Sequence, residues 1–284
     1  MVRHLVAYFG NEPENLACAL FPARPALQAQ GDRAAQSAPD GFGLGFVQGG
    51  DVLLQKRPRA ETSEVDLYGL VKETRADALV GRIGLGHDGN TAAEDADPFR
   101  FRSWLFASLG DLDEPAFDAV RDRILESTPA FLRRNIRGKS PSEHIFHLFL
   151  AFLHDAGILD QPTPAPTAVH AALRNSLAFV DRLLVGEGAA ALRIAICATN
   201  GRCFVATGCD YPIRYLHIEG IADCPVCLER TDTNQNRRRV QHDALRALIV
   251  EANRDVGVRS GWREVPNRSA LIAGPDRVPH ISSL

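Results

Sequence analysis

Apolar residues recur along this chain in two spacings, and each spacing predicts a different element. Leu5 to Phe9 is short and continuous, the pattern of a strand buried on both faces. Leu16 to Ala29 has helical spacing, but Pro22 and Pro25 interrupt it, so the helix predicted there is weak. Gly41-Phe42-Gly43-Leu44-Gly45-Phe46 alternates glycine with apolar residues, as a strand does where another backbone passes close. Gly49-Gly50-Asp51 fits a hairpin turn leading into Val52 to Lys56. Ser63 is placed to cap a helix running to Glu73, with Glu64 and Asp66 in its first turn. Ala78 to Ile83 and Trp104 to Leu109 read as core strands.

The middle of the chain switches to helical periodicity. Helices are predicted over Glu114–Ser127, Ser142–His154 and Thr167–Leu184. In the second, Ile145, Leu148, Phe149 and Phe152 share one face. The Pro-rich connector 161–166 reads as a surface crossing between helices. The last third is strand-rich: Leu192–Ala198, Arg202–Ala206, Ile213–Ile218, Leu245–Glu251 and Ala270–Ala273 carry β-type runs. Asn200-Gly201 signals a tight hairpin between the first two. Strands, then helices, then strands predicts two sheets enclosing helices or enclosed by them. No internal repeat is visible.

Composition adds bounds. With 284 residues, 45% hydrophobic and 24% charged, the chain is globular, and one domain over residues 1–284 is expected. The net charge of -3 implies no field of one sign, which argues against a general nucleic-acid or membrane-surface role. Arg237-Arg238-Arg239 reads as a solvated run. The start lacks an export signal, and no apolar run approaches the roughly 18 residues of a membrane span. A cytoplasmic protein is expected, in which the six cysteines are thiols or metal ligands rather than disulfides.

Cys224-Pro225-Val226-Cys227 has the reach to place two thiolates on one zinc ion. Cys203, Cys209 and His217 are the upstream candidates to complete four ligands, but their spacing matches no standard ribbon. Buried apolar cysteines are the simpler reading, so no metal or cofactor is assigned. A redox pair is disfavoured because no helix start is expected after Cys224. Histidines 87, 144, 147, 154, 170 and 242 form no metal spacing; His144 and His147, three apart, read as helix-face residues. Gly84, Gly86 and Gly89 lack the lysine and helix start of a phosphate loop.

Six segments, in order, resemble the class II, N-terminal-nucleophile glutamine amidotransferases. Met1-Val2-Arg3-His4-Leu5 is similar to the family's opening Met-Cys-Arg-His-Leu. Asp40-Gly41-Phe42-Gly43-Leu44-Gly45-Phe46 resembles its Asp-Gly-Trp-Gly-hydrophobic-Gly. Gly81-Arg82 and Asp97-Pro98-Phe99 resemble its arginine strand and His-Pro-Phe. Trp104 to Gly110 stands where the family has a strand ending in His-Asn-Gly. Lys139-Ser140-Pro141-Ser142-Glu143 resembles Thr-Asp-Ser-Glu at a helix start, and Trp262-Arg263-Glu264-Val265-Pro266 resembles Trp-Arg-x-Val-Pro. The nearest subgroup is the compact one that includes the γ-glutamyl amidohydrolase of ergothioneine synthesis.

The resemblance implies an α+β fold, a four-layer αββα sandwich of the Ntn-hydrolase type. It also implies a site from which most of the chemistry is missing. The family nucleophile is a cysteine at position 2, activated by its own amine; here it is Val2. The oxyanion hole uses an asparagine amide and a glycine N–H; here Leu109 and Gly110 stand there, and one lost donor costs about 3 kcal/mol of transition-state stabilisation. Arg82 matches the arginine that pairs with the substrate carboxylate, whereas Pro141 replaces the aspartate that holds the ammonium. Arg82, Asp97, Ser108 and Gly110 are therefore the expected ligand-contacting residues. The expected function is that of a pseudo-enzyme with a binding, regulatory or subunit role, with a small amino-acid-like ligand, and a partner enzyme or a second copy as partners. The alternative is an active amidohydrolase using Ser108.

Overall fold

Neighbouring side chains along the central strands enter different cores, and this alternation defines the layers of the fold. The computed structural model describes residues 3–30, 41–57, 64–84, 92–111, 113–230, 241–254 and 259–284. In chain order its elements begin with β1 (His4–Gly10), α1 (Leu16–Leu20), α2 (Arg24–Leu27), β2 (Gln28–Gln30), β3 (Phe42–Gln48), β4 (Asp51–Arg57) and β5 (Glu64–Asp66). Next come α3 (Leu67–Val71), β6 (Ala78–Ile83), β7 (Phe99–Phe101) and β8 (Trp104–Gly110). Four helices follow: α4 (Glu114–Glu126), α5 (Ala130–Arg133), α6 (Pro141–Asp155) and α7 (Pro166–Gly186). The last part holds β9 (Ile194–Thr199), β10 (Phe204–Cys209), β11 (Ile213–Ile221), α8 (Pro225–Arg230), β12 (His242–Ala252), β13 (Arg263–Glu264), β14 (Ser269–Ala273) and β15 (His280–Ser283).

Seven strands form one sheet in the order β13-β11-β12-β1-β6-β3-β4, and six form another, β15-β14-β10-β9-β8-β7. The pairings within both are antiparallel. Leu5, Ala7 and Phe9 of β1 meet Leu105, Ala107 and Leu109 of β8 in a core between the sheets. Val6 and Tyr8 face the other way, onto α1, α2 and α3. Trp104 and Phe106 of β8 face outward onto α4, α6 and α7. Both faces of these strands are covered, which is why the runs are continuous rather than alternating. Phe9 stacks on Phe204 across the inner layer, centroids 5.7 Å apart, a contact worth about 1 kcal/mol beyond its buried area.

Three local expectations change. The segment 13–27 breaks into short helical pieces, with Pro22 and Pro25 each in the first turn of a new one, because proline cannot supply an interior N–H. Residues 64–66 form a strand paired with β2, and the helix starts at Leu67, capped by Asp66, whose Oδ1 accepts the Gly69 N–H at 3.0 Å; Ser63 lies outside the described residues. The Asn200-Gly201 hairpin is wider than a two-residue turn: Thr199 pairs with Phe204, and the Asn200 carboxamide accepts the N–H groups of Arg202 and Cys203. The β3–β4 hairpin follows the expectation, with Gly49 and Gly50 at φ +59 and +94 and Gln48 opposite Asp51. No helix among the described residues is long and apolar enough to cross a membrane.

Candidate functional site

Strand β7 is only three residues long, so β8 outruns it and leaves a free edge at Ser108. Asp97 fills that edge. By register it stands opposite Ser108, two residues beyond the Phe99–Phe106 pair, and its Oδ1 accepts the Ser108 N–H at 2.7 Å. Arg82, reaching from β6 in the other sheet, donates Nε to the Ser108 carbonyl at 3.0 Å and Nη1 to the Ile83 carbonyl at 3.0 Å. A carboxylate and a guanidinium thus replace the missing neighbour strand. Gly43 and Gly45 of β3 make room for the 97–98 backbone: a Cβ on Gly43 would lie 1.9 Å from the Asp97 carbonyl oxygen.

Ser142, in the first turn of α6, completes the cluster. Its hydroxyl donates to Asp97 Oδ1 at 2.8 Å. With that proton committed, the Ser108 hydroxyl is the donor in the 2.7 Å contact between the two serines. Arg82, Asp97, Ser108 and Ser142 are all buried. Burial pushes the Asp97 carboxyl above the usual range, opposed by Arg82 and the two hydrogen bonds. The structure therefore gathers three of the expected ligand residues, Arg82, Asp97 and Ser108, and turns their bonding inward. Ser142, which sequence reasoning did not single out, had only its place in the Ser-Glu helix start as a signal.

The fourth, Gly110, behaves differently. Asp111 donates its N–H to the Arg193 carbonyl, so Gly110 directs its own N–H away from β9, to the edge Ser108 occupies. A Cβ on Gly110 would meet the Arg193 oxygen at 2.4 Å, so glycine is required by the neighbouring strand itself. Leu109 is 1% exposed and belongs to the core between the sheets. Pro141 is the first residue of α6, where its missing N–H is not needed. Val2 lies outside the described residues, as do His87 and the Arg237–Arg239 run.

Next to this cluster opens a cavity of ≈ 540 Å³, lined by Lys56, Phe99, Glu94, Arg137 and Glu143 among others. Glu143 accepts the N–H groups of Arg137 (3.0 Å) and Gly138 (2.8 Å), which folds the preceding loop onto α6. Lys56 lies 4.8 Å from the centroid of Phe99; burial lowers its pKa against the pull of Asp97, Glu143, Glu94 and Asp95. The cavity thus carries both signs of charge.

A second polar cluster closes the end of β12. Arg214 donates Nε and Nη2 to Glu251 Oε2, the former at 3.2 Å, and Arg259 reaches Glu251 Oε1 at 3.2 Å. Trp262, from the Trp-Arg-x-Val-Pro-like segment, covers Arg214 with its ring centroid 5.0 Å away. Burial first, then Arg259, Arg82 and Arg214, lowers the pKa of His4 to about 4. The neutral ring accepts a hydrogen bond from Asn253 Nδ2 at 3.0 Å through Nδ1.

His144 and His147 do not meet at a metal. Each Nδ1 lies 2.9 Å from the carbonyl four residues back, Ser140 and Glu143 respectively. His147 packs edge-on against Phe101 and Phe146, and burial lowers its pKa from 6.5 to about 4. The folded state therefore binds fewer protons here than the unfolded state. Its contribution is present above pH 6.5 and is lost as the pH falls to about 4, on the order of 3 kcal/mol in all. Asp97 and Glu143, raised by burial, act in the opposite sense. The readout is therefore the difference between wild type and His147→Leu: the variant's thermal midpoint is expected to fall less across this window. Parallel profiles would refute the assignment.

The cysteines divide into two groups. Cys197, Cys203 and Cys209 are buried in the strand cores, away from the Cys-x-x-C pair, and His217 is on β11. Cys224 and Cys227 instead meet Cys18 and His242, whose ligand atoms all lie within 4.8 Å of one another. The helix α8 begins directly after Cys224, contrary to the expectation that no helix follows it. Neither Cys18 nor His242 was legible as a partner.

Two antiparallel sheets face to face, with helices on both outer surfaces, form a four-layer αββα sandwich, the fold of solved class II glutamine amidotransferase structures. The solved structures agree. A glutamine aminotransferase class-II domain protein from Silicibacter pomeroyi is similar over 99% of this chain and 98% of that one, at TM-score 0.59 and 14% identity. A predicted glutamine amidotransferase from Pseudomonas aeruginosa is similar over 97% and 94%, at TM-score 0.55 and 14% identity. Glutamine phosphoribosylpyrophosphate amidotransferase from B. subtilis matches 99% of this chain with 49% of its own, at TM-score 0.52 and 12% identity. No family model and no curated protein sequence matches the chain.

Proposed function

We propose that this chain is a non-catalytic class II glutamine amidotransferase-like protein, one domain over residues 1–284, that binds a small amino-acid-like ligand on its own or within a complex. The observation that carries this reading is the inward bonding of Arg82, Asp97, Ser108 and Ser142. Groups that would hold a substrate are committed to the edge of β8. Leu109 adds an aliphatic side chain buried between the sheets where an oxyanion donor is needed. Val2 carries no nucleophile, and loss of a nucleophile costs about a million-fold in rate in a hydrolase that depends on one. The binding part of the reading rests on the ≈ 540 Å³ cavity, whose lining includes Lys56 and Arg137 together with Glu94 and Glu143, both signs of charge that a zwitterion needs.

The test is glutamine and a γ-glutamyl amide, each incubated with purified protein and followed by NMR. No glutamate is expected above the buffer control, while saturation transfer to an amino-acid ligand is expected and is lost in Lys56→Ala. Turnover would overturn the non-catalytic reading, and a Ser108→Ala variant would then decide whether that hydroxyl is the nucleophile. The geometry gives Ser108 little scope for this: its hydroxyl is turned to α6 and is 2.7 Å from Ser142.

A further inference from the structure

The two outer helical layers are unequal. α4, α6 and α7 have 13, 15 and 21 residues and bury a broad apolar core. On the other sheet α1, α2, α3 and α8 have only 5, 4, 5 and 6 residues. Helices that short have little face to bury and are marginal without another constraint. The quartet Cys18, Cys224, Cys227 and His242 lies in that weaker layer and joins its pieces: Cys18 is on α1, Cys224 precedes α8, Cys227 is within it, and His242 opens β12.

The spacing of the ligand atoms is that of a single tetrahedral ion. Zinc–sulfur bonds of about 2.3 Å and zinc–nitrogen bonds of about 2.05 Å at tetrahedral angles put two sulfurs about 3.8 Å apart and a sulfur and a nitrogen about 3.6 Å apart. Cys18 Sγ and Cys227 Sγ are 3.6 Å apart, and Cys227 Sγ and His242 Nε2 are 3.5 Å apart. A disulfide would bring two sulfurs to about 2.0 Å, and none of the six cysteines is in one. Iron–sulfur clusters spread their ligands over several irons, whereas all four atoms here fit within 4.8 Å. Three sulfurs and an imidazole select a borderline-soft ion rather than calcium or magnesium. Cys18 and Cys224 are buried and His242 and Cys227 half-buried, so four protein ligands close the site. The other three cysteines do not approach one another in this way, so cysteine content alone does not produce the quartet.

We propose that Cys18, Cys224, Cys227 and His242 bind one zinc ion that staples α1 and α8 to the start of β12. The site is structural, with no position open for substrate. It stands independently of the function proposed above.

The full-length chain, expressed in zinc-supplemented medium and dialysed, is expected to carry about one zinc per molecule by mass spectrometry of the metal. Exchange of zinc for cobalt(II) is expected to give the visible bands of a tetrahedral site together with thiolate-to-cobalt charge transfer. Cys18→Ser and His242→Ala should lose the zinc, whereas Cys203→Ser, far from the quartet, should retain it. The wild-type cobalt spectrum reads the site even if a variant fails to fold. Substoichiometric zinc with no cobalt bands would overturn the proposal. So would iron in place of zinc, or an intact mass two hydrogen atoms lighter that marks a Cys224–Cys227 disulfide.

Discussion

An Asp97→Ala variant is expected to lose about 3–5 kcal/mol of folding stability. Three groups depend on that carboxyl. The Ser108 N–H would face an edge with no acceptor, and the Ser142 hydroxyl would lose its bond. Arg82, 8% exposed, would remain as a buried cation without the carboxyl whose charge opposes the effect of its burial. Each orphaned donor costs about 1–3 kcal/mol. Urea unfolding measures the loss directly. A change under 1 kcal/mol would show that the edge of β8 does not need this staple. Asp97→Asn separates the two parts of the effect, because its carbonyl still accepts both hydrogen bonds while its charge is gone. Because both hydrogen bonds remain, the asparagine variant is expected to lose less than the alanine variant.

Glu251→Ala is expected to cost a similar amount, about 3–5 kcal/mol, for a different reason. Here the acid is the common acceptor of two arginines. Arg214 is 3% exposed at its side chain and Glu251 1%, so removal takes away a carboxylate that accepts from a guanidinium the fold has taken out of water. Arg259 loses the same partner. Glu251→Leu is not a remedy, since it removes the acceptor and keeps the cations. Glu251→Leu combined with Arg214→Leu is the informative control. If the double variant recovers much of the loss, the cost lay in the buried guanidinium left behind rather than in the pair itself. A single variant as stable as wild type would refute the reading.

Much of the fold was legible because its strands are buried on both sides and its helices carry one apolar face. β1, β6, β8 and the helices α4, α6 and α7 follow the apolar runs closely. What escaped has physical causes. β7 is three residues with an exposed Arg100 between two phenylalanines, too short for a period to show. β15 alternates polar residues at an exposed edge. Arg82, Asp97 and Ser108 were named as site residues by resemblance, and the structure brings them together. Their role at the strand edge depends on β8 being longer than β7, which neither residue type nor spacing reveals. The metal quartet was half visible: Cys224 and Cys227 form a motif, but Cys18 arrives from α1 and His242 from β12, with no local pattern linking them.

The place of β1 between β12 and β6 has a consequence for how the molecule assembles. His4 and Asn253, bonded at the ends of neighbouring strands, are 249 positions apart. The central strand of the larger sheet therefore keeps one backbone edge open until β12 has been synthesised. Such pairings fold slowly, because loop closure must precede the contacts that reward it. On the ribosome, β1 can dock with β6 early, but its apolar run stays available to other chains for most of translation. A nascent chain halted before residue 242 is thus expected to be captured by chaperones, whereas one released after residue 284, with β12 and β14 both made, is not.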